Sequence, residues 1–524
     1  MGVLDGLKPA GVFRFFEEIS RIPRGSGNEK QISDYLKKFA GDRGLTCIQD
    51  ASHNIIIIKE AAPGYEQEAP YILQGHMDMV TVKKPDCEID MKKDPLRLCI
   101  RDGRVCAEGT SLGGDDGIAV AYILALLDAQ DIRHPRLEMV VTTEEETGLT
   151  GAKNIDLSML RGRQLINLDN EEEGVIITSC AGGARVDVQI PLQWEPIMAE
   201  GTRILEIKVQ GLQGGHSGSE IDKGRGNANC LLGRILMAAA EGSTVRLAAL
   251  QGGQADNAIP RESSAVLVVM EEEKEQVLDR IGRERDEIKE ELQDTDRDFC
   301  VLCMEIGSDK NLLQENRADN SDNNKFDTEK TEKMGELYRN GRQMEPKECL
   351  TPICTEQALS CLTSLPDGII AMSDDVKGLV QTSLNLGIMV LDREMLQLGY
   401  AVRSSIDQEK EELCERMKEI ARKTGASVQV RSAYPGWAYR KESPLRDRLS
   451  VVYERMYGRK PQLQAIHAGL ECGLLAAKIP GLDCVSIGPD MSDVHTTEES
   501  LSIDSVGRVW EYLLQVLAER QQNL

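Results

Sequence analysis

The chain has 524 residues, 41% of them apolar, which is enough for two domains that each have a core. Its 62 basic and 87 acidic side chains give a formal net charge of −25, which excludes the basic face that nucleic-acid binding requires. The N-terminal segment lacks the basic start and apolar stretch of a signal peptide, and no apolar run is long enough to span a bilayer. We therefore expect a cytoplasmic protein with no membrane or nucleic-acid partner.

Residues 1–184 alternate between helix-like and strand-like patterns. Helical spacing of apolar residues predicts helices over 10–22, 32–44 and 117–129, and short apolar runs predict strands over 53–59, 70–75, 136–143 and 163–169. Such alternation is typical of an α/β domain in which helices cover both faces of a sheet.

From about residue 185 onward, the strand-like runs alternate apolar and polar residues, as in an α+β domain whose sheet has one solvated face. The α/β pattern returns at residue 433 and continues to residue 524. We expect one domain made of 1–184 and 433–524, interrupted by a second domain over 185–432. A very polar stretch over 312–348 is interpreted as an exposed insertion in the second domain.

Two cysteine pairs loosely imitate the spacing of a zinc ribbon. They are Cys300 with Cys303, and Cys349 with Cys354. The residues around the first pair alternate like a strand and lack the glycine-rich turns of a ribbon. Reduced, buried thiols are therefore the favoured interpretation.

Histidines and acids follow the predicted strands of the α/β domain, where open sheets of this class bind their ligands. These residues are His76, Asp78, Asp115, Asp116, Glu144, Glu145, Glu146, Asp169 and His495. Each one alone could cap a helix or face solvent. Together, so many carboxylates would repel one another unless cations neutralised them. The mixture of nitrogen and oxygen donors without thiolate predicts two divalent ions, with zinc, manganese or cobalt as the suitable metals.

The segment "GHMDM" contains a ligand and a residue that can orient it. Residues two apart in an extended segment project to the same side, so Asp78 can reach the second ring nitrogen of His76. A carboxylate in that position fixes the tautomer of the imidazole and makes it a better metal ligand.

Eight motifs, taken together, resemble the M20 metallopeptidases, and most closely their aminoacyl-histidine (Xaa-His, or cytosol nonspecific) dipeptidase branch. They are "GHMDMV", "GTSLGGDDGIAVA", "TTEEETGLTGA", "NLDNEEEG", "GGHSGSEIDKGRGNAN", "DNAIPRE", "AIHAGLECG" and "SIGPDMSDVH". The resemblance covers nearly the whole chain outside the polar stretch. It implies a mixed-sheet α/β catalytic domain interrupted by an α+β lid domain.

The resemblance also implies a set of site residues. Two zinc ions would share Asp115, one ion also binding His76 and Asp169, and the other Glu146 and His495. The metals would activate a bridging water, with Glu145 as general base and His216 stabilising the oxyanion. A cis peptide bond between Asp115 and Asp116 is expected as well.

The implied substrate is a dipeptide of Xaa-His type or of broad composition. Asn257 and Arg403 would bind its carboxylate, for which an arginine fork is well suited, and His467 and Glu471 would line the pocket. Asp222, where the branch has histidine, and the neighbouring charges of Lys223 and Arg225 depart from the branch pattern and leave the side-chain preference open. The resemblance further implies a homodimer formed through the inserted domain.

Three alternatives remain at this point. An aminoacylase or deacetylase, or a carboxypeptidase, of the same superfamily would keep the fold and change the substrate. A metal-binding protein without catalytic activity would belong to a different class, although Glu145 beside Glu146 argues against it. A nucleotide site at "GTSLGGDDG" is disfavoured because the Lys-Ser/Thr of a P-loop is missing and the acids would repel phosphate.

Overall fold

The computed structural model describes residues 2–198, 200–306, 312–313, 338–339, 342–343 and 346–520. Contacts divide the chain into two compact units. Unit 1 consists of Met1–Ala181 and Pro435–Leu524, and unit 2 of Gly182–Tyr434. Most of the polar stretch expected as an insertion, 312–348, lies outside the described residues. Among the described helices, none combines the length and apolar character needed to cross a membrane.

The helices and strands fall into three runs along the chain. The first run contains α1 (Ala10–Ile19), α2 (Lys30–Asp42), β1 (Thr46–Gln49), β2 (Ile55–Lys59), β3 (Tyr71–His76), β4 (Leu98–Arg101), β5 (Arg104–Ala107), α3 (Gly114–Asp128), β6 (Leu137–Thr142), α4 (Thr150–Asn154), β7 (Gln164–Asn167) and β8 (Val175–Cys180). The second run contains β9 (Gly182–Pro191), β10 (Trp194–Pro196), β11 (Thr202–Gln210), β12 (Gly215–His216), α5 (Ala228–Ala240), β13 (Val245–Gly252), β14 (Ala258–Ile259), β15 (Ser263–Met270), α6 (Lys274–Glu291), β16 (Cys300–Glu305), β17 (Tyr338–Arg339), β18 (Arg342–Gln343), β19 (Glu348–Leu350), α7 (Pro352–Ser364), β20 (Gly368–Met372), β21 (Val380–Leu391), β22 (Met395–Ser404), α8 (Asp407–Lys423) and β23 (Ser427–Tyr434). The third run contains α9 (Pro444–Tyr457), β24 (Gln462–Ile466), α10 (Glu471–Lys478), β25 (Asp483–Ser486), β26 (Met491–Ser492), β27 (Ser500–Ser502) and α11 (Ile503–Ala518).

Unit 1 is built on an eight-stranded mixed sheet with the order β1-β2-β6-β3-β7-β25-β8-β24. The four central strands β6, β3, β7 and β25 run parallel to one another, whereas β1 and β2 pair antiparallel at one side. Strands β3 and β6 are buried at every position, as parallel strands covered on both faces should be. The α/β class predicted from the sequence is confirmed.

Alternate residues of β2 show that both faces of this sheet are covered. Ile55 and Ile57 belong to a core cluster with residues of α1, α3 and α11, whereas Ile56 and Ile58 belong to a second cluster with residues of α10. Successive strand residues point to opposite faces, so the run "IIII" supplies two side chains to each core. Full burial of such a side chain contributes about 1.5–3 kcal/mol.

Capping residues set the start of two helices in the third run. The side chains of Ser443 and Ser502 accept hydrogen bonds from backbone N–H groups in the first turns of α9 and α11. Pro444 occupies the beginning of α9, where its missing N–H is not needed. The cap at Ser502 starts α11 directly after the segment that carries His495.

Unit 2 is an α+β arrangement, as predicted. Its main sheet has the order β16-β11-β15-β13-β21-β22-β9-β23, and β20 also pairs with β21. Residues of α5, α6, α7 and α8 share one core cluster with these strands. Buried and half-buried positions alternate along β9, which is typical of a sheet with one covered face.

The cysteines considered as a zinc ribbon lie in separate elements of unit 2. Cys300 and Cys303 belong to β16, Cys349 to β19 and Cys354 to α7. Within the described ranges, no cluster of potential metal ligands includes a cysteine. Cys303, Cys349 and Cys354 are buried and Cys300 is partly buried, which agrees with the interpretation as ordinary thiols.

Candidate metal centre

Ligand-type side chains gather at the carboxyl ends of the parallel strands of unit 1. They are His76 at the end of β3, Asp115 in the first turn of α3, Glu145 and Glu146 after β6, Asp169 after β7, and His495 after β26. Because the carboxyl ends of β6, β3, β7 and β25 share one edge of the sheet, segments far apart in sequence meet there.

The carboxylate of Asp115 lies between two imidazoles. Its Oδ1 is 2.9 Å from Nε2 of His76, and its Oδ2 is 3.1 Å from Nε2 of His495. Asp115 is buried, and the two histidines come from opposite ends of the chain. Each oxygen of one carboxylate therefore faces a different nitrogen donor, which is the arrangement of a bridging ligand.

Two further contacts extend these imidazoles into two groups. Oδ1 of Asp169 lies 3.6 Å from Nε2 of His76, and Oε1 of Glu146 lies 3.0 Å from Nε2 of His495. The potential ligand atoms of Asp115, Glu146 and His495 all lie within 4.8 Å of one another. All five residues that the resemblance implies as ligands are thus brought together.

Asp116 is a further candidate ligand that the resemblance does not include. Its potential ligand atom lies within 4.8 Å of those of His76 and Asp169. Its Oδ2 accepts a hydrogen bond from the backbone N–H of His76 at 3.0 Å, while its buried Oδ1 has no hydrogen-bond partner among the described residues. The peptide bond between Asp115 and Asp116 is cis, as the resemblance implies. On geometry alone, Asp115 and Asp116 are both close enough to His76 to bind the same metal ion.

Asp78 connects His76 to the turn that carries the two glutamates. Its Oδ1 lies 3.4 Å from Nδ1 of His76 and accepts a hydrogen bond from the backbone N–H of Glu145 at 3.1 Å. Its Oδ2 accepts hydrogen bonds from Oγ of Ser26 at 2.8 Å and from the N–H of Glu146 at 3.4 Å. The fully buried Asp78 side chain therefore contacts two of the segments that form the site.

Without cations, the charged groups at this edge perturb one another. Burial raises the pKa of Asp169 to about 7 and holds the pKa of Glu145 well above its usual range. Hydrogen bonds to Asp115 and Glu146 raise the pKa of His495 to about 11. Burial would raise the pKa of Asp115 too, but its bonds to the two imidazoles bring that pKa below its ordinary value. The cluster therefore needs protons or cations to balance its carboxylates.

The donor set fits divalent transition metals. The groups within 4.8 Å contain imidazole nitrogen and carboxylate oxygen and no thiolate. Such mixed donors suit zinc, manganese and cobalt, and a cation at each group would replace the protons that the clustered carboxylates otherwise require.

Two turns at the site adopt a backbone conformation that L-residues seldom use. Glu144 has a φ of 49° and His495 a φ of 64°, both in the left-handed region. Such conformations cluster at functional sites, where the surrounding structure enforces them. They let the chain turn sharply at both of these segments.

Three residues of the second domain are expected to contact the substrate, and all three lie in unit 2: His216, Asn257 and Arg403. Strands β12 and β14 pair antiparallel, which places His216 opposite Ala258, and the backbone N–H of Ser217 donates to the carbonyl of Asn257 at 2.8 Å. His216 and Asn257 are therefore neighbours.

Arg403 belongs to the same region of unit 2. Burial lowers the pKa of His216, and the positive charges of Arg403 and Arg185 lower it further. Arg403 is itself nearly enclosed, and its Nε has no hydrogen-bond partner among the described residues. Arg185 forms an ion pair with Asp256 at 2.9 Å. Arg403 and the Arg185–Asp256 ion pair therefore act on His216, whose pKa lies below its ordinary value.

His467 and Glu471 belong to unit 1, and both are buried. The Oε2 atom of Glu471 accepts hydrogen bonds from Nε2 of Gln74 at 2.5 Å and from Oγ1 of Thr142 at 2.6 Å. Burial raises the pKa of Glu471 to about 8. The contact of Glu471 with β3 and β6 is thus observed, whereas contact of Glu471 or His467 with substrate stays a prediction.

Four polar residues at this edge were not identified from the sequence. They are Arg24, Ser26, Glu29 and Glu499. Besides the bond from Ser26 to Asp78, Oε1 of Glu29 accepts a hydrogen bond from the backbone N–H of Glu144 at 3.3 Å. For Arg24, Ser26 and Glu29, the available sequence signal was the polar segment "PRGSGNE", which lies between two amphipathic helices.

Comparison with known proteins identifies the family. Residues 72–519 match Peptidase family M20/M25/M40. The chain belongs to this family. It is 34% identical over 519 residues to the cytosol non-specific dipeptidase of Escherichia coli strain K12, and the alignment covers 99% of each protein.

Solved structures agree with this assignment. The aminoacylhistidine dipeptidase from Vibrio alginolyticus is 32% identical and superposes with a TM-score of 0.85, covering 98% of this chain and 97% of that chain. Aminopeptidase PepT from Bacillus cereus, at 15% identity and a TM-score of 0.54 over 98% of each chain, shares the fold. The resemblance found in the sequence is confirmed, and this M20 peptidase is a metal-dependent hydrolase.

Proposed function

We propose that the protein is a dipeptidase that uses two divalent metal ions, with zinc as the expected metal. The observation that carries the proposal is the carboxylate of Asp115, whose two oxygens face the imidazoles of His76 and His495. The similarity to a cytosol non-specific dipeptidase over nearly the whole chain supports the substrate class.

We assign one ion to His76, Asp115 and Asp169, and the other to Asp115, Glu146 and His495. When bound, such ions supply Lewis acidity that activates a water molecule and polarises the scissile carbonyl. Asp78 would hold Nδ1 of His76, which leaves Nε2 directed towards Asp115 and the first metal position.

Glu145 is the proposed general base. Its backbone is held by the bond from its N–H to Asp78, and its carboxyl group shares a cluster within 4.8 Å with His76 and Glu146. Burial holds the pKa of Glu145 well above its usual range, which makes its carboxylate a stronger proton acceptor. It would take the proton of the attacking water and deliver it to the leaving amine.

We assign the recognition of the dipeptide backbone to unit 2. Arg403 presents a buried guanidinium, which suits a carboxylate, and Asn257 would add an amide donor. His216, whose pKa is lowered by burial and by neighbouring arginines, would donate a hydrogen bond to the carbonyl oxygen as a neutral imidazole. His467 of unit 1 is assigned to the substrate pocket on the family resemblance.

A substrate panel on metal-reconstituted protein tests this proposal. Xaa-His, β-alanyl and ordinary dipeptides should be cleaved, whereas tripeptides and N-acetyl amino acids should be poor substrates. The same preparation carrying Glu145→Gln controls for contaminating peptidases. Cleavage of the acetylated compounds alone would show that the protein is an aminoacylase or deacetylase and not a dipeptidase. Cleavage of longer peptides from the carboxyl end would favour a carboxypeptidase.

We also propose a cytoplasmic location and a homodimer formed through unit 2. The first rests on similarity to a cytosol dipeptidase, and the second on the family resemblance of the inserted domain. Sedimentation of the full chain at several concentrations would separate a dimer from a monomer.

A further inference from the structure

The carboxylate of Glu499 binds the backbone of the segment that leads into Asp115. Its Oε2 accepts hydrogen bonds from the N–H groups of Leu112 at 2.9 Å and Gly113 at 3.1 Å, and its Oε1 accepts one from Gly114 at 2.7 Å. Glu499 is 3% exposed and follows His495 by one short turn. One buried carboxylate therefore joins the segment of His495 to the segment of Asp115.

Arg24 makes the complementary set of contacts. Its Nη1 donates to the carbonyl oxygens of Met77 at 3.0 Å and Asp78 at 3.1 Å, and its Nη2 donates to the carbonyl of Gly113. The side chain is 1% exposed. Arg24 therefore joins the residues directly after His76 to the same segment that Glu499 holds.

The two side chains meet at Gly113. The N–H of this residue is bound by Glu499 and its carbonyl by Arg24. Gly113 has a φ of 65°, and a Cβ at this position would lie 2.6 Å from Nη2 of Arg24. A Cβ on Gly117 would come within 2.3 Å of the same atom. Glycine at both positions is what leaves room for the guanidinium.

These contacts place two buried charges against backbone groups, an arrangement that is expensive unless each charge is well hydrogen-bonded. Burial lowers the pKa of Arg24, against the opposing influence of Glu499 and Asp78. Ordinary packing would not require either charge. Their partners are the carbonyls after His76 and the N–H groups before Asp115, so each contact lies beside one of the proposed metal ligands.

We propose that Arg24 and Glu499 are positioning residues that act together on Gly113 to hold the Asp115 carboxylate between His76 and His495. The inference rests on the proposed two-metal function. Within the described part of the chain, the side-chain hydrogen bonds of Arg24 and Glu499 go to backbone groups and not to the proposed ligand side chains. They fix the backbone of three ligand-bearing segments, so that each oxygen of Asp115 meets its own metal position.

The test is metal binding to the full chain after its metals have been removed. Glu499→Gln keeps the size of the side chain, but it replaces one of the two acceptor oxygens by an amide nitrogen, which would face at least one N–H donor of Leu112–Gly114 without accepting from it. We expect calorimetry to show that the affinity for Zn²⁺ falls on the order of 10- to 100-fold in at least one of the two binding steps. Half-maximal activity should then require correspondingly more Zn²⁺, and saturating Zn²⁺ should restore most of kcat.

Arg24→Lys gives a second and milder test, because lysine keeps the charge but cannot reach three carbonyl groups in the same geometry. It should weaken Zn²⁺ binding in the same step as Glu499→Gln, and the double variant should weaken it by less than the product of the two single effects. The matched controls are Glu498→Gln, at an exposed residue paired with Lys84, and Arg21→Lys, at an exposed residue paired with Glu17. Both controls should bind Zn²⁺ like the wild type.

The outcomes separate this inference from the function on which it rests. If the wild type does not bind two ions, the proposed function is wrong. If the wild type binds two ions and both variants bind them with unchanged affinity, the positioning role is wrong, whatever happens to thermal stability. A loss of kcat that saturating Zn²⁺ does not restore, with unchanged affinity, likewise overturns it.

Discussion

Oδ1 of Asp78 lies 3.1 Å from the backbone nitrogen of Glu145, and the same oxygen lies 3.4 Å from Nδ1 of His76. One buried carboxylate thereby aligns a proposed metal ligand and the proposed general base. The consequence is that the orientation of the imidazole and the position of the base are not independent. A change at Asp78 should disturb the proton transfer more than the metal content.

Asp78→Asn tests this relationship. Asparagine keeps the size of the side chain but offers one oxygen acceptor in place of two. An amide nitrogen at the position of Oδ1 would face both His76 and the N–H of Glu145, and one at the position of Oδ2 would face the N–H of Glu146. We expect kcat to fall on the order of 10- to 100-fold while about two metal ions remain bound per chain. Metal analysis by plasma emission and steady-state kinetics provide the two measurements.

The control for this variant is Asp86→Asn, at an exposed aspartate in the loop after β3. It should leave both quantities unchanged. Loss of both metal ions in Asp78→Asn would mean that Asp78 is itself needed to build the metal positions.

Glu145→Gln removes the proposed base. Because glutamine cannot accept the water proton, we expect kcat to fall on the order of 10²- to 10⁴-fold without loss of metal. Glu144→Gln, at the adjacent glutamate, is the matched control and should retain nearly full activity. Undiminished hydrolysis by Glu145→Gln would support a different base.

Metal binding should release protons. His495 has a pKa of about 11 in the metal-free protein and so carries a proton at neutral pH, which it must lose to become a ligand. Asp169 has a pKa of about 7 in the metal-free protein and is therefore partly protonated at neutral pH. The apparent affinity for Zn²⁺ should therefore rise as the pH is raised from about 6 to about 8.

Calorimetry in buffers of different ionisation enthalpy measures these protons. His53→Asn changes a histidine of unit 1 outside the site and should leave the number released unaltered. Binding heats that are identical in all buffers would show that the protonated groups described here are not the ligands. Chelation should also lower the thermal midpoint, because metal binds the folded chain preferentially.

Because the carboxyl group of Glu471 is buried, we expect the stability of the folded protein to depend on pH. Burial raises the pKa of its carboxyl to about 8, so the folded state binds the proton more tightly than the unfolded state does. The associated stability is present below the unfolded pKa of about 4.3 and is lost as the pH rises through about 8. Glu471→Gln cannot ionise and should therefore flatten the fall in thermal midpoint of the chelated protein over this range.

The control for Glu471 is Glu454→Gln, at an exposed glutamate on α9. Its thermal midpoint should follow the wild type at every pH. An equally steep fall in Glu471→Gln would assign the pH dependence to other groups.

The sequence was sufficient to predict which strands carry the candidate ligands. Apolar runs ending in His76, Glu146 and Asp169 could be recognised as parallel strands, and the carboxyl ends of such strands meet at one edge. Asp115 and His495 follow from the same reasoning, because a helix start and a later strand end reach that edge. The eight motifs then gave the individual roles, which stay predictions.

The supporting contacts could not be predicted in this way. Arg24 and Glu499 bind backbone N–H and carbonyl groups, and any residue presents these groups, so no pattern in the partner segments marks the contact. Glu471 begins a helix beside the site, but its sequence does not reveal that the side chain points inward to Gln74 and Thr142. Such contacts depend on how the chain folds in three dimensions.

The imidazole of the proposed second metal group, His495, belongs to the last of the three runs. His495 is made on the ribosome only after all of unit 2, whereas Asp115 and Glu146 precede that unit. A nascent or prematurely terminated chain that stops within unit 2 therefore holds two of the three donors and lacks the third. If the proposed function is correct, hydrolytic activity therefore requires translation to continue beyond β26 and through His495.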